Sequence, residues 1–529
     1  MKCSPFAFGI LAPLFALLTP TAQADVRLPA IFSEHMVVQA EKPIAVWGWA
    51  EAGEAVVVSL AGQEKTTTAA ADGRWHATLD PLRATKAAQT LTVRGRNTLT
   101  VGDVLVGEVW LCSGQSNMAM QMKGLHGAVD RADEEIAAAG HPQLRMFVHD
   151  APCSIYELAS PPREPMTDRP GKWLVCSPAT AAQFSAIAYY FGRDIQRELG
   201  VPVGMINSAV GGTPIEAWTS LEAQLAQPKL KPVLDDWSKR TKGYDAERAQ
   251  AEFNEAKQAW LKRRAEAAKQ KQPAPKAPAA FKNLAVMQPA GLFNGMISPL
   301  VPYTVRGVLW YQGERNAAGP LSKYYGLQLQ TLVTDWRTRW ADPSLYFAYV
   351  QLPRFAREQK LPSEPEAWGV VVREEMLKSV TIPYTAMAVT IDLGGVTDGH
   401  PTNKADYARR LSLLALHDVY GKTDVVARGP LFRSAQREGA SMVLTFDHAE
   451  GLRATSGALT AFAIAGDDQK FHWAEACIVD GHVVVASKEV PQPAAVRYGW
   501  ASNPKCNLIN GAGLPASPFR TDDWEAEKQ

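Results

Sequence analysis

Between residues 25 and 106 the apolar positions come in short β-branched or aromatic runs. Ile44–Ala50 (IAVWGWA), Ala55–Leu60 (AVVVSL) and Arg74–Leu79 (RWHATL) are separated by Gly53, Gly62 and the Asp72-Gly73 pair. Short runs punctuated by such turn residues predict a β-sandwich-like domain. From 107 onward the pattern changes. Strand-like runs at Val201–Ile206, Tyr303–Trp310, Leu345–Val350 and Met387–Leu393 alternate with segments of helical period. Phe184, Ile187, Ala188, Phe191, Ile195 and Leu199 share one helical face, and Gly200 is placed to end that helix. Tyr325–Trp340 repeats the pattern, as does the segment after Pro401, with Ala408, Leu411, Leu414 and Ala415 on one side. The alternation predicts an α/β fold over residues 107–424, with a parallel sheet covered on both faces. Residues 425–529 return to short strands. There Asp480-Gly481 lies between two β-branched runs, a hairpin signal.

Two segments depart from this plan. Residues 1–24 carry Lys2, the apolar run Phe6–Leu18 and then Ala22 and Ala24 in small-x-small spacing. This is the pattern of a cleavable signal peptide, so the mature chain is expected to begin at Asp25 and to be exported. No later run is long and apolar enough to span a bilayer. Residues 222–282 are rich in Lys, Arg, Glu, Gln and Ala, place Phe253, Ala256 and Trp260 on one helical face, and end in a proline-rich stretch. They read as a helical insertion with a flexible return, either a solvated arm or a lid over a site.

Charge narrows the partners. Fifty-five basic residues against 54 acidic ones leave the chain nearly neutral, and nothing points to a nucleic-acid partner. Apart from Cys3, the cysteines are Cys112, Cys153, Cys176, Cys477 and Cys506. In an exported protein Cys153 and Cys176 are the expected bridge, with both remaining reduced as the alternative. No histidine or cysteine spacing resembles a metal site.

The chemistry concentrates where strands end. The run from Val109 leads through Cys112 and Ser113 into Gly114-Gln115-Ser116-Asn117-Met118. In open α/β sheets ligands bind beyond the carboxyl ends of the strands. Gly114 permits a tight turn that offers Ser116 at the start of a helix. A serine there can attack a carbonyl while its own N–H holds the oxyanion. Helix capping by Ser113 and Ser116 is the competing reading of this stretch alone. Three more stretches shift the balance. Asn207 starts a segment that leaves its strand through Gly211-Gly212, whose N–H groups can approach a ligand. Trp310-Tyr311-Gln312-Gly313-Glu314 ends a strand with an amide able to donate to an oxyanion. Thr397-Asp398-Gly399-His400-Pro401 supplies an imidazole base and a carboxylate to orient it.

These blocks, with Leu28–Gln39, Gly291–Tyr303 and Gly513–Trp524, resemble the sialate O-acetylesterase-like family of the SGNH (GDSL-like) hydrolases, which includes acetylesterases acting on plant polysaccharides. The likeness covers most of the chain after residue 24, except the 222–282 insertion. It implies an SGNH-hydrolase-like three-layer core flanked by β-rich portions. It also implies Ser116 as nucleophile and His400 as general base. The implied oxyanion hole comprises the Ser116 N–H, an N–H of Gly211 or Gly212, and the Gln312 side chain. The wider superfamily spaces its acid and base D-x-x-H, whereas this chain has Asp398-Gly399-His400. Asp398 is the expected orienting acid, with Glu314, Asp392 or a backbone carbonyl as alternatives. Gln115, Asn117, Asn207, Glu314 and Arg373 are candidate substrate contacts, and a surface salt bridge is the competing role for Arg373. Trp218, Trp310 and Tyr311 serve either as a sugar platform or as core.

The resemblance thus implies an exported carbohydrate O-acetylesterase working through a serine acyl-enzyme, with an acetylated sugar as partner and no metal or organic cofactor. An esterase for lipid or aryl esters and a non-catalytic carbohydrate-binding protein are the rival readings.

Overall fold

The structure, a computed structural model, describes residues 25–124, 127–149, 165–270, 272–273, 275–276, 284–397 and 399–524. The expected leader, Cys153 and Asp398 lie outside the described residues.

The N-terminal region forms strands β1 (Val37–Gln39), β2 (Ile44–Trp49), β3 (Ala55–Leu60), β4 (Gln63–Thr68), β5 (Arg74–Leu79) and β6 (Thr85–Arg94). They lead into β7 (Thr98–Gly114), which is buried without interruption from Val104 to its end. That continuous burial is what a strand covered on both faces requires. The expected domain boundary at 106 falls inside this strand. Its first part pairs antiparallel with β6, and Leu105–Gly107 pairs parallel with β1. Its last part, from Glu108, is the centre of a second sheet region.

There β8 (His141–His149), β9 (Gly171–Cys176), β10 (Val203–Ala209), β11 (Gly307–Tyr311), β12 (Tyr346–Val350) and β13 (Thr385–Ala388) join it in the order β9-β8-β10-β7-β11-β12-β13. All neighbours are parallel except β9, which runs antiparallel to β8. Helices α1 (Ser116–Ala119), α2 (Ala186–Leu199), α3 (Ala246–Lys269), α4 (Tyr325–Arg339), α5 (Val370–Lys378) and α6 (Lys404–Asp418) follow in chain order; all but α3, whose described side chains are mostly exposed, connect and cover the strands. The protein is therefore an α/β fold with a β-rich C-terminal region.

Local chemistry explains the helix ends. The Ser185 hydroxyl accepts from the Ala188 N–H to cap α2, and Gly200 ends that helix at φ +69°. Asn403 caps α6 by accepting from the Asp406 N–H. On one face of the sheet, Phe191, Tyr407, Leu411 and Leu414 are fully buried in a shared cluster with Cys112 and Leu309. On the other, Trp218, Trp310 and Trp336 meet edge to face, at 6.2 and 6.0 Å between centroids. That second cluster runs without a break into Val46, Val58, Trp75 and Leu91, so the N-terminal strands share the core of the α/β region. The C-terminal strands have their own cluster, with Leu444, Val485 and Phe519 at its centre. The expected hairpin pairs Glu475–Val479 with His482–Ala486. Asp480 and Gly481 both take positive φ in its turn.

Within the 222–282 insertion, α3 carries Trp260, whose indole N–H donates to the Pro275 carbonyl at 2.9 Å. Pro275 is thus held against the insertion's own helix. Cys153, the expected bridge partner of Cys176, lies outside the described residues. Cys176 is a buried free thiol at the end of β9, directed at the Ala139 carbonyl inside the apolar core. Burial there pushes its pKa up to about 12.

Candidate active site

Three strand ends converge through glycines. Gly114 closes β7 at φ +133°, and a Cβ there would lie 2.1 Å from the Tyr311 carbonyl oxygen, so no other residue fits. The turn makes Ser116 the first residue of α1, nearly buried. The Met118 and Ala119 N–H groups donate to the Gln115 carbonyl, both at 2.9 Å, so it is the N–H groups at the very start of the turn that face a ligand oxygen. On one side the Val210 N–H donates to the Gly114 carbonyl at 3.1 Å; Gly211 and Gly212 follow, the latter at φ +77°. On the other the Gln115 N–H donates to the Tyr311 carbonyl at 3.0 Å, ahead of Gly313 at φ +146°.

Asn117 joins these ends to the histidine loop. Its amide donates to Glu314 Oε1 at 2.5 Å and to the Gly399 carbonyl at 3.2 Å. Its Oδ1 accepts from Lys404 Nζ at 2.6 Å. Lys404 is fully buried above the rings of Tyr311 and Tyr407. His400, half-buried, sits between Gly399 and the Lys404 end of α6. Burial raises the Glu314 pKa, opposed by the Asn117 hydrogen bond and the Lys404 charge. Glu314 Oε2 is buried with no partner among the described residues.

Gln312 lies under the turn. Its Nε2 has three acceptors in reach: Asn316 Oδ1 at 2.8 Å, the Thr213 carbonyl at 3.1 Å and Gln115 Oε1 at 3.2 Å. Its Oε1 accepts from the Tyr325 hydroxyl at 3.0 Å. An amide has two N–H groups, so with three acceptors in reach donation to a substrate oxyanion requires two of them to give way or one N–H to be shared. Gln115 Oε1, the most distant, already takes the Arg315 N–H. Asn316 continues the network to Glu216, which also accepts from Gln328 and whose pKa burial raises.

Several expected site residues lie elsewhere. Arg373 is buried and donates to four backbone carbonyls, those of Leu352, Pro353, Ala501 and Ser502, at 2.7–3.0 Å. It ties α5 to the C-terminal region with four of its five N–H groups, and full burial keeps the guanidinium from a surface salt bridge. Trp218, Trp310 and Tyr311 have no exposed face and belong to the core. Asp392 makes a bidentate pair with Arg410, both contacts at 2.6 Å, which disfavours it as the partner of His400. Asn207 stands on β10 opposite Cys112, with its Oδ1 buried and unpartnered among the described residues. Lys404 and Glu216 were not singled out from the sequence. Each is a charged residue inside a block already marked as a strand-end loop, and that was the available signal.

The chain matches the sialic acid-specific acetylesterase (SASA) family of carbohydrate esterases over residues 106–243 and 290–411. A carbohydrate acetylesterase from Xanthomonas citri is 35% identical, with a TM-score of 0.77, covering 94% of this chain and all of that one. The sialate O-acetylesterase of Mus musculus is 27% identical over 97% of both chains. That of Homo sapiens is 26% identical over 98% of this chain and 97% of its own. These matches place the chain among the carbohydrate esterases. Within them it belongs to the sialic acid-specific acetylesterase family.

Proposed function

We propose that the protein is an exported carbohydrate O-acetylesterase that removes acetyl groups from sugars through an acyl-enzyme on Ser116. The observation that carries this reading is the Asn117 bridge, which fastens the Ser116 turn to the carbonyl next to His400. The relatives act as acetylesterases by name, one on carbohydrate and others on sialate.

In this reading the Ser116 Oγ attacks the acetyl carbonyl carbon while the His400 imidazole takes its proton. The oxyanion is held by the N–H groups of Ser116 and of Gly211 or Gly212, with Gln312 donating through an N–H shared with one of its present acceptors. Collapse breaks the bond to the sugar oxygen, which takes the proton back from the imidazolium. Water then gives a proton to His400 and attacks the acetyl group, releasing acetate and restoring the serine. Asp398 orients the imidazole. Gln115 and Glu314 stand in the site as polar groups suited to a sugar rather than a lipid. The residue 1–24 pattern supports export to the periplasm or medium, and among the described residues no helix is long and apolar enough to cross a membrane.

The test is acetate release from acetylated sialosides, xylan and xyloglucan, with Ser116→Ala beside the parent protein. Release from at least one glycan, lost in the variant, is expected. Equal release by both proteins, or none from any substrate, overturns the reading.

A further inference from the structure

The outward face of the β2–β5 ribbon carries aromatic side chains where strand alternation alone would put polar ones. In this antiparallel pair Trp47 faces His76, Gly48 faces Trp75 and Trp49 faces Arg74. Trp75 turns inward and packs over Gly48, where any Cβ would lie 2.9 Å from its ring. Trp47 and Trp49 therefore share the other face with His76 and Arg74, and both indoles are half-buried. That face opens into a cleft of about 550 Å³ between the N-terminal strands and the α/β region. Met166, Phe293 and Arg339 line its far side. Junctions between structural units are common ligand sites, and this volume is in the range that takes a small molecule.

The cleft continues. A second groove of about 770 Å³ runs along α4 past Gln330 and Thr334, and the two share Val301 and Arg339. A chain of several sugars fits such a shape better than a single compact ligand. The rim chemistry defines its charge. Arg74 pairs with Asp72 at 3.5 Å, and Arg339 pairs with Glu222 at 2.9 Å and Asp335 at 3.2 Å. Both of these lining cations already have carboxylate partners, so neither is left over for an anionic sugar. Burial lowers the His76 pKa and keeps its ring neutral. Flat indole faces suit the C–H faces of pyranose rings, while the rim groups donate to hydroxyls.

We infer that this cleft is a second carbohydrate-binding site, separate from the Ser116 site, that holds an uncharged polysaccharide chain on Trp47 and Trp49. The inference rests on the proposed carbohydrate substrate, and it selects a neutral polymer over a sialoside. Holding the polymer raises the local concentration of its acetyl groups.

The experiment measures calorimetric binding of soluble deacetylated xyloglucan, xylan oligosaccharides and sialyllactose to full-length Ser116→Ala protein. The same titrations are run with Trp49→Ala and Trp49→Tyr added. Expected are binding of a neutral glycan but not of sialyllactose, about tenfold weakening by Trp49→Ala, and retention by Trp49→Tyr. In the Ser116 background of the parent protein, Trp49→Ala raises KM on acetylated polymer and leaves aryl acetate turnover unchanged. Unchanged glycan binding in Trp49→Ala, or preference for sialyllactose, overturns the inference. Aryl acetate hydrolysis that survives Ser116→Ala overturns the catalytic reading instead, so the two failures are distinct.

Discussion

The Asn117 amide, one residue after Ser116, donates to the carbonyl of Gly399, one residue before His400, at 3.2 Å. The nucleophile and base loops are separated by nearly the whole α/β region, yet one side chain spans them. The same side chain takes the Lys404 ammonium and reaches Glu314. Misplacement of a reacting group by about 1 Å costs about 10²-fold in rate. Asn117→Ala and Lys404→Met should therefore each lower kcat on an aryl acetate by about 10²-fold, with a much smaller change in KM. Steady-state kinetics check this, and an unaltered kcat in both variants would refute the bridging role.

Gln312 is fully buried and linked to Asn316, Thr213, Gln115 and Tyr325, so its removal should act twice. Loss of one oxyanion donor lowers kcat by about 10²–10³-fold. Stranding the Thr213 carbonyl should also lower the melting temperature. Kinetics and thermal unfolding of Gln312→Ala are expected to move together. A fall in stability with unchanged kcat would make Gln312 a structural tether alone.

Arg373 holds four carbonyls from two regions of the chain. Arg373→Met should destabilise the fold by about 3 kcal/mol or more, since buried acceptors are left unpaired. The fraction that stays folded should hydrolyse aryl acetate at the parent rate. Denaturant midpoints with active-site titration separate the two effects.

His149 gives a pH signature. Burial, helped by the Arg169 charge, pushes its pKa down to about 3 from the ordinary 6.5, and neither ring nitrogen has a hydrogen-bond partner among the described residues. The unfolded chain binds this proton more readily than the native one. Its contribution to stability is therefore complete above pH ~6.5 and falls as the pH drops from there toward ~3. His149→Phe, which fits beside Phe147, should flatten that part of the stability curve. An identical pH dependence of the urea midpoint in both proteins would contradict the assignment.

What the sequence revealed follows the range of the forces involved. The Gly114, Gly212 and Gly313 turns are local steric requirements, so the strand ends and their polar residues were readable directly. The helix limit at Gly200 was readable for the same reason. Arg373 was not, because its acceptors are backbone carbonyls that any sequence provides; two of them lie at Ala501 and Ser502. Trp218, Trp310 and Tyr311 remained ambiguous because a flat apolar ring suits a core as well as a sugar. Position 106 falls inside β7, which serves two sheet regions with one unbroken apolar pattern and so carries no break for the sequence to show. Conversely, Trp47 and Trp49 read as ordinary strand residues until register put them on the outward face.

The most direct measurement of the central claim is covalent trapping. Protein treated with a fluorophosphonate ester is weighed intact, digested and mapped, alongside Ser116→Ala and His400→Ala. The account predicts one adduct on the peptide containing Ser116, no adduct in Ser116→Ala, and strongly slowed labelling in His400→Ala, in step with aryl acetate hydrolysis. An adduct on another residue, or full hydrolytic activity in Ser116→Ala, would contradict it.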